Sequence, residues 1–278
     1  MRWRAILFSV LCVCLLVACQ PVRENPPLRI HVLDVGQGDA VLLRTSAGDV
    51  LIDAGPEDAE ELLCLRLRQL GVRELALLIV THPDADHVGG ADGVLAEIPT
   101  KEILTNGAPL EGESAGRLLQ TATRLEISVR AAHTGEVLRF GETVISVIGP
   151  IGNDQQAGNE GSLMLKVVCG SVSMLLTGDA GIKQEAALLA AYGETILDCD
   201  LYKVGHHGSN TSTSLAFLQC VTPTYAVISC GAANSYGHPF GEVLARLDQV
   251  GAEVLRTDLL GELVFETDGE ALMRVKKT

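Results

Sequence analysis

Thr81-His82-Pro83-Asp84-Ala85-Asp86-His87-Val88-Gly89-Gly90 follows directly on the apolar run Leu75–Val80. It sets two imidazoles and two carboxylates within six residues at the end of one strand. Aspartate and histidine are costly to bury unless paired or bound to metal. Carboxylates this close repel one another unless a divalent cation lies between them. A polar turn with helix-capping aspartates would account for Asp84 or Asp86 alone, but not for the whole set. The stretch therefore reads as a metal site placed at the end of a buried strand.

The pattern repeats outward from this point. Val172 to Leu176 leads to Gly178-Asp179-Ala180. Leu201 to Val204 leads to His206-His207-Gly208-Ser209, and Tyr225 to Ser229 leads to Asn234-Ser235-Tyr236-Gly237-His238-Pro239. Polar clusters that each follow an apolar strand gather at one edge of a sheet, where α/β enzymes place their sites. Upstream, Leu28 to Val35, Ala40 to Thr45 and Val50 to Ile52 form a meander. Pro56 opens a helix whose first turn carries Glu57 and Asp58 and whose stop is Gly71. Ser162 to Val168 and Val172 to Leu176 read as a hairpin. Glu253 to Arg256, Gly261 to Glu266 and Ala271 to Val275 close the chain as strands.

Composition narrows the class. The chain has 278 residues and is 47% hydrophobic, which excludes disorder and fits a well-filled core. Met1 to Arg4 is a short basic start, and Ala5 to Ala18 is apolar but too short to span a membrane. Residues 1–18 have the shape of an export signal. Leu16-Val17-Ala18-Cys19 resembles a bacterial lipobox, which implies cleavage before Cys19 and a diacylglycerol on its sulfur. An ordinary signal peptide or an uncleaved anchor is the alternative. Acyl chains on Cys19 would hold the protein on the outer face of the cell membrane or on the outer membrane. Residues 19–28, with Pro21, Pro26 and Pro27, then serve as a tether to a domain over 29–278.

The net charge is −14, and removing Arg2 and Arg4 makes it two units more negative. Such a surface repels polyanions and argues against a general nuclease. Lys101, Arg117, Arg124, Lys166, Lys183 and Lys203 are scattered along the sequence. Beyond the signal and Cys19, the cysteines are Cys64, Cys169, Cys199, Cys220 and Cys230. Their odd number and the lack of CxxC spacing indicate neither a disulfide framework nor a thiolate zinc site.

Taken in order, HxDxDHxGG, TGD and HHGS resemble the metallo-β-lactamase superfamily. A particular likeness is to the hydrolase domain of the DNA-uptake competence protein ComEC and its stand-alone relatives. It rests also on His31-Val32-Leu33-Asp34-Val35-Gly36-Gln37-Gly38-Asp39, Leu51-Ile52-Asp53-Ala54-Gly55, Asn159-Glu160-Gly161-Ser162-Leu163 and Tyr236-Gly237-His238-Pro239. The resemblance implies an α/β fold, a four-layer αββα sandwich, with two divalent ions, zinc or manganese, between its sheets. It implies that His82 and Asp84 ligate one ion, that Asp86 and His87 ligate the other, and that Asp179 bridges both. One histidine of the His206-His207 pair completes the second site. His207-Gly208-Ser209 matches the H-x-S pattern of related phosphodiesterases, which favours His207 and leaves His206 facing substrate phosphate.

Asp39 and Asp53 match groups that orient ligating histidines, although each could equally cap a turn. Asp84 stands where β-lactamases and lactonases have histidine, and Asn159 and Ser162 stand where those enzymes carry another histidine ligand. Oxygen replacing nitrogen suits harder ions and makes antibiotic hydrolysis a poor reading. A lone His238 is commonly structural, but its place after an apolar strand suits contact with phosphate or protonation of a leaving group. His31 and His133 match no ligand position.

The implied activity is phosphodiester hydrolysis by metal-activated water, with Asp86, His206 and His238 as the groups nearest the chemistry. The substrate could be DNA or a smaller diester such as a nucleotide, a phospholipid headgroup or a teichoic-acid substituent. A non-catalytic surface binding module is the other reading. The sequence has none of the long hydrophobic segments of a transport channel, and it advertises no protein partner.

Overall fold

The computed structural model describes residues 26–152 and 158–276. The export signal, Cys19 and most of the tether expected from the sequence lie outside those residues. The strands are β1 (Leu28–Val32), β2 (Val41–Thr45), β3 (Gly48–Ile52), β4 (Leu75–Val80), β5 (Glu102–Thr105), β6 (Ser128–Ala131), β7 (Val137–Phe140), β8 (Thr143–Gly149), β9 (Met164–Cys169), β10 (Val172–Leu176), β11 (Leu201–Lys203), β12 (Tyr225–Ile228), β13 (Glu253–Arg256), β14 (Leu263–Thr267) and β15 (Leu272–Val275). The helices are α1 (Glu60–Gln69), α2 (Ala85–Val88), α3 (Ala91–Glu97), α4 (Glu113–Arg124), α5 (Ile182–Tyr192), α6 (Glu194–Leu197), α7 (Leu215–Val221), α8 (Gly241–Gln249) and α9 (Thr257–Leu260).

The strands form two sheets, ordered β15-β14-β1-β2-β3-β4-β5-β6 and β13-β12-β11-β10-β9-β8-β7. Period-two alternation decides what each sheet face meets. In β4, Leu77 and Ile79 join the core between the sheets, where they meet Ile145, Leu165 and Met174 of the other sheet. Leu78 and Val80 of the same strand face outward and pack with Leu63 and Leu67 of α1 and Leu118 of α4, joined by Leu75 from across the register shift at the start of the strand. On the far side, Tyr202 and Ile228 pack with Leu188, Phe217 and Leu247 of the helices. The result is the expected α/β sandwich of helix, sheet, sheet and helix. Burying each such aliphatic side chain contributes about 1.5–3 kcal/mol.

Helix α1 stops where expected. Val72 N–H donates to Leu67 C=O at 3.0 Å and Gly71 N–H donates to Arg68 C=O at 2.9 Å. Gly71 adopts the left-handed conformation, φ +76°, that this close requires.

The strands that carry the polar clusters run parallel to their neighbours. Strands β3, β4, β5 and β6 are parallel in one sheet, and β10 to β13 are parallel in the other. Their carboxyl ends therefore open at one edge of the sandwich. The loop after β4 is fastened there on three sides. Asp39 N–H donates to Asp86 C=O at 3.1 Å, Ala54 N–H donates to His87 C=O at 2.7 Å, and Leu163 N–H donates to Thr81 C=O at 2.9 Å. Gly38 makes the first of these approaches feasible, since a Cβ there would lie 2.3 Å from Asp86 O.

Candidate metal centre

The four polar clusters meet around one carboxylate. Asp179, buried at the end of β10, has His87 Nε2 3.2 Å from its Oδ1. Its Oδ2 lies 3.6 Å from His206 Nε2, 3.6 Å from His207 Nε2 and 4.0 Å from His82 Nε2. Asp86 Oδ2 is 3.2 Å from His207 Nε2, and Asp84 Oδ2 is 3.7 Å from His82 Nε2. Donor atoms of Asp86, His87, Asp179 and His207 all lie within 4.8 Å of one another. The structure thus brings together every residue that the sequence nominated as a metal ligand.

A metal fits this cluster. His82 Nε2, His87 Nε2, His207 Nε2 and Asp179 Oδ1 are fully buried, yet none has a hydrogen-bond partner. Leaving such atoms unsatisfied costs about 1–3 kcal/mol each, more where charge is involved. They converge on a common space, as the inner atoms of a ligand set would. Electrostatics point the same way. Burial opposes charge on Asp179, but His87 and His207 hold its carboxyl well below the usual range. Burial likewise opposes charge on His87 and His207, but Asp179 with Asp53 and Asp39 raises both imidazoles well above their ordinary value. His82 goes the other way, pushed down to about 3 by burial and by His87. The buried carboxylates call for positive charge, and two imidazolium protons supply it in the place a divalent cation would take.

The outer ring nitrogens are each held. His87 Nδ1–H donates to Asp53 Oδ2 at 2.8 Å. Asp53 also accepts from Thr81 N–H and from Thr81 Oγ1–H, both at 2.8 Å. Thr81 Oγ1 sits 3.1 Å from His82 Nδ1, so one aspartate orients two imidazoles. His207 Nδ1 lies 3.0 Å from Ser229 C=O and 3.3 Å from Asp39 Oδ1. Asp53 thus hydrogen-bonds a histidine ring, and Asp39 lies beside another. Ser162 Oγ accepts from Asp179 N–H at 3.1 Å, and Asn159 Nδ2 lies 3.4 Å from His206 Nε2.

Three participants were not legible in the sequence. Lys203, on β11, is fully buried and places Nζ 2.8 Å from Asp39 Oδ2. Burial resists ionisation of Asp39, but Lys203 and His207 hold its carboxyl well below the usual range. Thr81 couples Asp53 to His82. Gln37 reaches His238 Nδ1 with Nε2 at 3.4 Å and accepts from Gly231 N–H at 3.1 Å. The only signal for these residues was their position beside a motif.

His238 flanks the cluster, its ring stacked on Tyr236 at 5.6 Å. Burial, then His207 and His206, push its imidazole down to about 4. His31 and His133 lie apart. His31 is buried against Glu262 at 2.7 Å, and His133 is exposed. Among the described residues Cys64, Cys199, Cys220 and Cys230 form no disulfide.

The cavity at the cluster, about 150 Å³, is lined by Gln37, Asp84, Asn159, His206 and His238 among others. It adjoins a larger one of about 530 Å³, bordered by Pro56, Glu57, Asp58 and Tyr236. Among the described residues no lysine or arginine lines either cavity. Four of the six scattered cations are already engaged or buried. Lys101 pairs with Glu74, and Arg117 pairs with Glu57, Asp92 and Glu113. Lys166 and Lys203 are buried.

Comparison with known proteins agrees with this geometry. Residues 33–232 match the family described as the metallo-beta-lactamase superfamily. The chain is 36% identical over 248 residues to "Competence protein ComA" of Neisseria gonorrhoeae, covering 88% of this chain and 33% of that protein. It is 30% identical over 254 residues to "ComE operon protein 3" of Bacillus subtilis, covering 85% and 32%. The chain thus spans about a third of the length of these relatives. Among solved structures, the metallo-beta-lactamase fold protein YhfI from Bacillus subtilis superposes with a TM-score of 0.56 at 13% identity, covering 86% of this chain and all of that one.

Proposed function

The chain belongs to the metallo-beta-lactamase superfamily, and from that premise we propose that it is a metal-dependent phosphodiesterase. The observation that carries the reading is Asp179, a buried carboxylate on which His82, His87 and His207 converge. His82 and Asp84 would hold one divalent cation and Asp86, His87 and His207 the other, with Asp179 shared. Asp84 in place of an imidazole makes the first set oxygen-rich, so manganese suits it as well as zinc. When bound, the cations supply positive charge that lowers the pKa of water and neutralises phosphate oxygens.

The chain's own residues do the positioning. Asp53 and Asp39 fix the ring orientation of His87 and His207. The Gln37 amide donates to His238 Nδ1, which puts the ring proton on Nε2. His238 is neutral at pH 7 and so acts as a hydrogen-bond donor to the leaving oxygen, a narrower role than proton transfer. The burial of His82, His87, Asp179 and His207 keeps bulk water from the donor atoms.

DNA is the first substrate to examine, because the relatives carry competence names. A smaller phosphodiester is the second reading, favoured by the lack of lysine and arginine among the described residues that line the cavities. The intact donor set argues against a non-catalytic binding module. We place the protein outside the cytoplasm, tethered by lipid on Cys19. The basic and apolar start of the sequence supports this placement, and loss of palmitate labelling in Cys19→Ser would test it.

The deciding experiment strips metal from the full chain, reloads it with manganese or zinc, and follows bis(p-nitrophenyl) phosphate hydrolysis. Turnover should require metal and vanish in Asp179→Ala. His238→Ala should keep its metals and lose about 10²-fold or more in kcat, the usual cost of a missing donor to developing charge. No turnover by metal-loaded wild type on any phosphodiester would refute the reading.

A further inference from the structure

His206 shares the geometry of the ligating histidines rather than that of His238. Its Nε2 lies 3.6 Å from Asp179 Oδ2, the same distance as His207 Nε2. Its Nδ1 is held by Thr211 Oγ1 at 3.1 Å, just as His82, His87 and His207 have their Nδ1 atoms held. A histidine that ligates metal through one nitrogen almost always donates its other N–H to a fixed acceptor. His238 differs on both counts, since its Nδ1 faces the Gln37 amide and it makes no ion pair with Asp179 among the described residues.

The backbone gives an independent reason. His206 and His207 both occupy the left-handed region, at φ +48° and +53°. Non-glycine residues rarely do so, and each instance costs on the order of 1–3 kcal/mol. In extended chain, neighbouring side chains point to opposite faces. Here the consecutive left-handed residues turn both rings toward one carboxylate oxygen. A single ligand and a surface histidine would not need that arrangement.

The first cation position, as read above, has fewer protein donors than the second. His82, Asp84 and Asp179 serve it, and His206 Nε2 is the remaining imidazole nitrogen beside Asp179 Oδ2. We infer that His206 is a metal ligand that completes the first cation position, so that the His206-His207 pair divides between the two ions. The substrate-facing role expected for His206 then passes to His238 alone. This inference rests on the two-cation reading of the centre.

The test is metal uptake, which does not depend on activity. Metal-free full chain is titrated with manganese and with zinc, and bound metal is counted by atomic emission. The variant is His206→Asn, because asparagine tolerates the left-handed backbone. Wild type should take up two equivalents. In His206→Asn, affinity for one equivalent should fall roughly 10–100-fold, the range seen when metal-site geometry is degraded. The other equivalent should stay within about twofold. Asn159 Nδ2 lies 3.4 Å from His206 Nε2, so Asn159→His in the same chain should restore the weakened equivalent.

Unchanged affinity for both equivalents in His206→Asn would overturn the assignment while leaving the two-cation centre standing. Wild type that binds no metal would overturn both. A second measurement needs no variant. In wild type loaded with NMR-active cadmium and nitrogen-labelled histidine, the His206 Nε2 resonance should be split by the metal. Splitting at His82, His87 and His207 but not at His206 would refute the inference.

Discussion

Asp53→Asn isolates the contribution of one orienting carboxylate. Asp53 is fully buried at φ +58°, a conformation that asparagine also adopts readily. The new amide keeps one oxygen, which can still accept from Thr81 N–H. The other oxygen, which accepts from both Thr81 Oγ1–H and His87 Nδ1–H, becomes an NH₂ group. Thr81 can rotate its proton away. The imidazole of His87 cannot rotate in its packed setting, so it must carry its proton on Nε2 and accept at Nδ1. Nε2 is the atom that faces Asp179 Oδ1, and a protonated Nε2 has no lone pair for a cation. The expected loss is roughly 10–100-fold in affinity for the second cation, or about 1.4–2.8 kcal/mol. Competition against a chelator of known affinity measures it, and thermal unfolding of metal-free protein checks that the fold is intact. A variant that binds the second equivalent within about twofold of wild type would refute the tautomer argument.

Two other substitutions test the surroundings. Lys203→Met leaves Asp39 buried without its ammonium partner, and breaking a buried pair from one side costs about 3–5 kcal/mol. Urea unfolding should show that loss, and a change below about 1 kcal/mol would mean that Asp39 is balanced by His207 alone. Glu262 accepts from Arg66 Nε and from His31 Nδ1, both at 2.7 Å. Burial raises its carboxyl, but these two partners hold it below the ordinary 4.5. A depressed carboxylate adds stability that is present above its unfolded value and is lost as pH falls through the folded one. Wild type should therefore lose stability below pH 4.5 by a component that Glu262→Gln lacks, and identical stability profiles for the two proteins between pH 5 and pH 3 would rule this out.

The elements that the sequence predicted well are those set by local pattern. The run Leu75–Val80 read as a strand buried on both faces, and β4 divides its residues between two cores. The hairpin at Cys169-Gly170-Ser171 and the stop at Gly71 follow from turn chemistry within a few residues. Motif order also located the centre, since every nominated ligand reaches Asp179 or a neighbour of it. Lys203 was not legible, because a lysine in a short apolar strand looks like an outward-facing charge. Its burial depends on Asp39, far away in sequence and brought to it only when the loop after β1 meets the end of β11. His31 is a similar case. Its sequence context matches no ligand position, yet it is buried and paired with Glu262 near the opposite end of the chain. Periodicity says which side chains turn inward, but not which inward-turned charges will find each other.

The same limit explains the character of the centre. Asp39, Asp53, Asp84, Asp86 and Asp179 crowd the carboxyl ends of the parallel strands, and the ammonium among them is Lys203. Lys203 neutralises Asp39 directly, and the remaining negative charge falls to the imidazoles. Burial raises the carboxyl of Asp53 despite His87, and burial together with Asp86 raises that of Asp84. A protein without metal therefore meets this charge by protonating His87 and His207 and by holding Asp84 closer to neutral. Divalent cations would displace those protons and let the carboxylates ionise together. Anything that binds the folded form and not the unfolded form stabilises it. The strained backbone at His206 and His207 fits the same account, because conformations that cost free energy persist where the surrounding interactions over-determine them. The polar edge is thus the least self-sufficient part of the fold without metal, and the two packed cores on either side of the sheets hold its loops in register until a cation arrives.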